Sequence, residues 1–231
     1  MKQIFLDTET TGLKPAEGHR IIEVVALAYE NRHAINGTEG QFHAYCNPER
    51  DIDADAERVH GMGAEFLASK PRFAEIALAL QNFLRDAELI IHNAAFDCDF
   101  LDSEFERLNM PPVRNITHNV LCTLNLSRRQ NTFLRRHRLE DLCKHYGVDD
   151  SERTKHNALL DAKLLAEVYL HMTRGQLAMR MSLLSPIRAS VTPEKAVPVR
   201  FFAASEEEIA AHNAYLDTME KETGVRPLWQ Q

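Results

Sequence analysis

A mixed β-sheet flanked by helices, an α/β fold, is what this sequence predicts, and two observations predict it. Short β-branched apolar stretches fill the chain as far as Cys46, and from Phe73 onward apolar residues recur at helical spacing. The resulting order, β-β-β-α-β-α-α-α, calls for a sheet with helices packed against it.

The elements follow in chain order. Lys2–Leu6 is a short apolar strand, Ile21–Tyr29 is β-branched and nearly continuous, and Gln41–Cys46 alternates apolar with polar residues. Glycines 12, 18, 37 and 40 punctuate the connections, so these three strands form a meander. Phe73, Ile76, Leu80, Phe83 and Leu84 give 73–85 one apolar face, the mark of an amphipathic helix. Glu88–Ile91 is a short strand, and a helix follows from about Ala95 to Leu108 before Pro111-Pro112 stops it. Two further helices span Leu139–Tyr146 and Ala158–Met172. Residues 182–199 carry three prolines without helical period and read as a flexible linker. Ser205-Glu206-Glu207-Glu208 is a capping-box pattern that opens a last helix. One short helix cannot bury the flanking Phe201, Phe202, Leu228 and Trp229 by itself, so this tail is expected to dock on a partner.

With 231 residues, 44% of them hydrophobic, the chain can build one sizeable core and carry an appendage. A net charge of −7 argues against a protein that coats nucleic acid through global positive charge, but leaves open a local, metal-dependent contact. Cys46, Cys98, Cys122 and Cys143 form no CxxC pair and no zinc spacing, as in a reducing compartment. The N-terminus meets charge at Asp7, too early for a signal peptide, and no stretch reaches the ~18 apolar residues of a membrane span. A cytoplasmic protein is expected.

Three segments carry the chemistry. In a strand, Asp7 and Glu9 project from the same face, and two adjacent anions repel unless a cation lies between them; a solvated strand end before a Gly12 turn is the plainer alternative. The run His92-Asn93-Ala94-Ala95-Phe96-Asp97 passes from strand to helix, where Asp97 is either a ligand or simple compensation of the helix dipole. Mid-helix, His156 and Asp161 would lie about 140° apart and could not share a site. With Asn157 as N-cap, Asp161 falls in the opening turns and His156 in the loop before them, free to turn back toward the carboxylates. A lone His there is otherwise a surface residue. Arg128, Arg129, Arg135, Arg136 and Arg138 make a basic run between two helices, either a grip on the phosphates of single-stranded DNA or a solvated loop.

Taken together and in this order, Asp-x-Glu, the His92–Asp97 run and His-x4-Asp resemble the DEDDh family of 3′→5′ exonucleases. The likeness extends through RTKHNALLDAKLLAEVYLHMTRGQ, the linker, and SEEEIAAHNAYLD with a tail ending near Trp229. It implies a ribonuclease H-like fold and proofreading of DNA 3′ ends for a replicative polymerase. It implies that Asp7, Glu9, Asp97 and Asp161 hold two Mg²⁺ ions, with Mn²⁺ able to substitute, and that His156 is the general base. Two such ions about 3.5–4 Å apart serve both ends of an in-line displacement at phosphorus, and hard cations prefer carboxylate oxygens. Asp7 would bridge the metals, Glu9 and Asp97 would complete the shell, and Asp161 would hold the metal that carries the attacking water. The resemblance further places Thr10, Thr11, Gly12, Leu13, His60 and Asn93 around the terminal nucleotide, with Leu13 against its base. Gln176, Met179 and Met181 resemble the short peptide that holds a sliding clamp. The implied division is an exonuclease domain over 1–175, a clamp-binding peptide and linker over 176–200, and a tail over 201–231 that binds the polymerase catalytic (alpha) subunit. Where family members often place Asp before Thr-Leu, this chain has Cys122. The competing readings are an RNA-trimming exoribonuclease of the same family, disfavoured by the linker and docking helix, and an inert polymerase-stabilising scaffold, disfavoured by the gathering of four carboxylates.

Overall fold

The computed structural model describes residues 1–153, 156–174 and 205–223. The chain separates into two compact units, Met1–Leu184 and Ser185–Gln231.

The first unit is built on a six-stranded sheet: β1 (Gln3–Thr10), β2 (Ile21–Glu30), β3 (His33–Ala34), β4 (Gln41–Tyr45), β5 (Glu88–Ile91) and β6 (Asn119–Cys122). β1 pairs antiparallel with β2, and β2 with both β3 and β4, so the expected meander forms. On its other side β1 pairs in parallel with β5, and β5 with β6. The helices are α1 (Ala54–His60), α2 (Ala64–Ala68), α3 (Phe73–Leu84), α4 (Ala94–Glu106), α5 (Val113–Ile116), α6 (Thr123–Gln130), α7 (Leu139–Tyr146) and α8 (Ala158–Met172). This is the ribonuclease H-like arrangement of a mixed sheet between helices.

The sheet is buried on both faces, which explains the near-continuous apolar run of β2. Ile4, Leu6, Val24, Ala26, Leu89 and Ile91 pack against α3 and α4 through Phe73, Leu80, Leu84, Phe100 and Phe105. The alternate residues Phe5, Val25, Leu27 and Ile90 pack against α7 and α8 through Leu142, Ala162, Leu165 and Ala166. Alternation along β1 therefore gives Phe5, Asp7 and Glu9 the face of α8, and Ile4, Leu6 and Thr8 the face of α4.

Sequence periodicity missed β3, β6, α1, α2, α5 and α6. β6 is four residues long and owes its strand conformation to pairing with β5 rather than to alternation. α6 has a polar sequence, TLNLSRRQ, and buries only Thr123 and Ser127. Its N-cap is Cys122, in extended conformation, and no side-chain hydrogen bond caps the helix. A carboxylate there would accept a first-turn N–H; a thiol is a weak acceptor.

The second unit contains α9 (Glu206–Thr223). Its capping box forms as the sequence predicts: Glu208 N–H donates to the Ser205 hydroxyl at 3.2 Å, and Ser205 N–H donates to the Glu208 carboxylate at 2.8 Å. Ile209 and Tyr215 are exposed on this helix. Gln176, Met179, Met181, Phe201, Phe202, Leu228 and Trp229 lie outside the described residues.

Replacing Cys122 with Ser, nearly its isostere, supplies the missing N-cap acceptor. Denaturant unfolding should show a gain of about 1 kcal/mol.

Candidate active site

The cluster forms where parallel strands end. Leu6 pairs with Ile91 as the last parallel pair: β5 ends there while β1 runs on to Thr10 beside β2, so Asp7 and His92 stand at the same edge. Clefts at the carboxyl ends of such strands are the usual ligand sites of α/β folds. Asn93 makes the turn into α4 with φ 65°, a left-handed conformation that Asn tolerates, and Asp97 then lies in the helix's first turn. Asn157 caps α8 by accepting the Leu160 N–H at 3.0 Å, which puts Asp161 in the opening turn and His156 in the preceding loop.

Glu9, Asp97 and Asp161 are all buried, and ligand atoms of Glu9, His156 and Asp161 lie within 4.8 Å of one another. Burial pushes the Asp7 carboxyl well up, and Asp97, Glu9 and Asp161 push it further. Burial also raises Glu9, to about 8, helped by Asp161 and by Glu23, which faces it across the β1–β2 pair. Asp97 is raised by burial to about 7, although the Thr8 hydroxyl donates to it at 2.8 Å. Asp161 moves the other way. Burial would raise it, but hydrogen bonds from His156 and Arg153 hold it below the usual carboxylate range. Arg153 donates twice to Asp161, at 2.6 and 2.9 Å, and His156 Nδ1 lies 3.3 Å from Asp161 Oδ2.

The donor set fits divalent cations. Oxygen donors converge with no thiolate among them, and the raised proton affinity of Asp7, Glu9 and Asp97 shows how strongly burial disfavours their charged forms in the absence of a cation.

Two cavities open on the cluster and share Asp7, His92, Asn93 and His156. The smaller, about 390 Å³, is lined by Thr10, Gly12, Leu13, Val59, His60 and Phe96 among others. Leu13 stands 78% exposed at this cavity, positioned as an apolar platform. His60 Nδ1 accepts the Met62 N–H at 3.0 Å. Thr11 is not part of the lining: its fully buried hydroxyl holds His19 Nδ1 at 3.1 Å and accepts the Arg20 N–H at 3.0 Å. Gly12 lies against the same His19 ring so closely that an added Cβ would stand 2.3 Å from it. The larger cavity, about 770 Å³, is lined by Arg128, Arg135, Arg136, Arg138 and Arg153.

Sequence reasoning did not single out Arg153, Thr8 or Glu23. Arg153 reaches Asp161 by a loop conformation that spacing does not encode. Glu23 lies in the middle of an apolar strand, and that was the available signal: a carboxylate among buried residues needs a partner, here His43 at 2.8 Å.

Comparison with known proteins gives the family and the fold. Residues 4–169 match a family model described as an exonuclease. The chain is 43% identical to the DNA polymerase III subunit epsilon of Escherichia coli, over 96% of this chain and 95% of that protein. It is 38% identical to the subunit of the same name from Pasteurella multocida, over 100% and 94%. Among solved structures it resembles the zinc-bound complex of Escherichia coli exonuclease I with single-stranded DNA, at TM-score 0.66 and 19% identity, over 79% of this chain and 42% of that one. Exonuclease X in complex with 5′-overhanging duplex DNA gives TM-score 0.58 and 20% identity, over 75% and 92%.

Acids raised on folding hold protons more tightly folded than unfolded. The stability they contribute is present at low pH and is lost as pH climbs from the ordinary carboxylate range through about 8 for Glu9. In EDTA, Glu9→Gln should therefore melt above wild type at pH 8.5, with the advantage shrinking toward pH 6. Millimolar Mg²⁺ or Mn²⁺ should raise the wild-type midpoint more at pH 8.5 than at pH 6. A pH-independent difference in melting temperature would contradict the assignment.

Proposed function

The chain belongs to the exonuclease family, among the epsilon subunits of DNA polymerase III, and from that premise we propose which residues carry its proofreading 3′→5′ exonuclease activity. The observation that carries the assignment is that Asp7, Glu9, Asp97 and Asp161, from β1, α4 and α8, line two cavities that share Asp7 and His156, with ligand atoms of Glu9, His156 and Asp161 within 4.8 Å of one another. Enzymes of this family depend on divalent metal. In the proposed reading the four carboxylates hold two Mg²⁺ ions, which when bound neutralise the phosphate and favour ionisation of water.

The remaining work falls to side chains. Asp7 and Glu9 stay side by side because β1 fixes their spacing, and Asp7 feels the charge of all three of the other carboxylates, Asp97, Glu9 and Asp161. Thr8, on the opposite face of β1, orients Asp97 from the α4 side. His156 is half-exposed, and with Nδ1 turned to Asp161 its Nε2 can take the proton of the attacking water. Phosphorus–oxygen bond formation by that water and departure of the 3′-oxygen complete hydrolysis and release a nucleoside 5′-monophosphate. The smaller cavity takes the terminal nucleoside, with Leu13 against its base and Thr10, Gly12, His60 and Asn93 around it.

The name that the relatives share supports a setting in a DNA polymerase III complex; DNA 3′ ends as substrate and the cytoplasm as compartment belong to the proposed reading. Exposed Ile209 and Tyr215 on α9 support a docking tail for the polymerase catalytic subunit. A clamp-binding role for Gln176, Met179 and Met181 rests on sequence. Among the described residues no helix is long and apolar enough to cross a membrane.

Incubated with 5′-labelled single-stranded DNA and Mg²⁺, the protein should shorten it stepwise from the 3′ end. EDTA or Asp7→Ala should abolish this. His156→Ala should lower kcat by about 10²- to 10⁴-fold. Preferential shortening of a matching RNA would instead identify a trimming enzyme.

A further inference from the structure

We propose that the loop 131–138, with Arg128 beside it, is a binding track for the single-stranded polynucleotide 5′ to the scissile phosphate. The inference rests on the exonuclease reading and extends it to the part of the substrate that remains after cleavage.

The two cavities beside the carboxylate cluster differ in charge. The smaller presents Leu13, Val59 and Phe96 together with Asp53 and Asp55, a surface that suits one nucleoside and repels further phosphates. The larger presents arginines. A 3′ exonuclease releases one nucleoside 5′-monophosphate and keeps a polyanion, so the polyanion belongs on the cationic side. Arg128, Arg135 and Arg136 are exposed, and none of them makes an ion pair among the described residues. The other two arginines of this cavity are engaged, Arg138 with Glu140 and Arg153 with Asp161. In a chain of net charge −7, three guanidiniums on one cavity, with no ion pair among the described residues, mark a site for external anions.

The loop is held as a binding element would be. Buried Asn131 donates to Tyr146 Oη at 2.9 Å, and the Ser127 hydroxyl meets His137 Nδ1 at 2.8 Å, so both ends of the loop are tied to α6 and α7. His92 is bonded both to Thr123 and to the His137 backbone, which joins the loop's base to the edge that carries Asp7. At the tip Phe133 is 70% exposed and leans on His145 with ring centroids 5.5 Å apart. A basic groove beside an exposed aromatic ring is how proteins hold single strands without reading sequence.

The test compares two substrates on the full-length protein with Mg²⁺: a 5′-labelled oligodeoxythymidylate, and the p-nitrophenyl ester of thymidine 5′-monophosphate, which has no upstream strand. For the double variant Arg135→Gln/Arg136→Gln, KM for the oligonucleotide should rise at least tenfold at about 0.1 M salt. The salt dependence of log kcat/KM should become shallower by about 0.7 per arginine removed. The loss on the ester should be at least tenfold smaller, and Arg135→Lys/Arg136→Lys should retain the wild-type salt slope. Equal losses on both substrates, or an unchanged oligonucleotide KM and salt slope, would overturn the track while leaving the exonuclease intact. A wild type inert on both substrates would overturn the exonuclease reading and the track with it.

Discussion

Repulsion among Asp7, Glu9, Asp97 and Asp161 is the constraint on which the rest of the site depends. Burial removes water from these carboxyls while the strand and helix ends bring them together; Asp97, Glu9 and Asp161 then raise the proton affinity of Asp7, and Asp161 and Asp97 raise that of Glu9. A sheet this apolar on both faces, flanked by helices on each side, is stable enough to impose such an arrangement. The same unfavourable charge that weakens the metal-free fold is what a divalent cation relieves, so affinity for metal and strain in its absence have one origin.

The local devices around the cluster each answer this constraint. Thr8 gives Asp97 a hydroxyl proton, Arg153 gives Asp161 a guanidinium, and Asn157 fixes the helix end from which Asp161 projects. They act from different layers, because alternation along β1 sends Thr8 toward α4 and Asp7 with Glu9 toward α8. The strand therefore reaches both helical layers within three consecutive residues. A one-residue slip of register would exchange these roles.

Much of this was legible in the sequence, and the unread parts share a physical cause. Glu88–Ile91, Leu139–Tyr146 and Ala158–Met172 fall at their predicted bounds, since each carries its own periodicity and is bracketed by turn or cap residues. The N-cap role of Asn157 was readable because capping is a local interaction. β6 was not, because its conformation comes from β5, more than twenty residues earlier in the chain. The convergence of the carboxylates could be inferred from spacing together with family likeness, whereas the bond from Arg153 to Asp161 depends on a loop path set by tertiary packing. Likewise the basic run was visible as composition, but only the fold shows that its arginines border the cleft beside Asp7.

Buried carboxylates elsewhere in the molecule show how function and structure can be told apart. Glu104 receives a bidentate pair from Arg20 at 2.7 and 2.8 Å, and it also accepts the Ile21 N–H, clipping β2 to α4. Glu23 holds His43 at 2.8 Å and lies 3.4 Å from the Ala158 N–H, so it braces the start of α8 from the sheet. Both are compensated within the fold, as a buried charge must be. Among the described residues Asp7, Glu9 and Asp97 have no cation within ion-pair distance. Evolution toward stability alone would have paired or replaced them, since burying them together lowers the stability of the folded state. Their missing partner therefore comes from solution, and Glu23, which bears on both Glu9 and α8, links the compensated set to the uncompensated one.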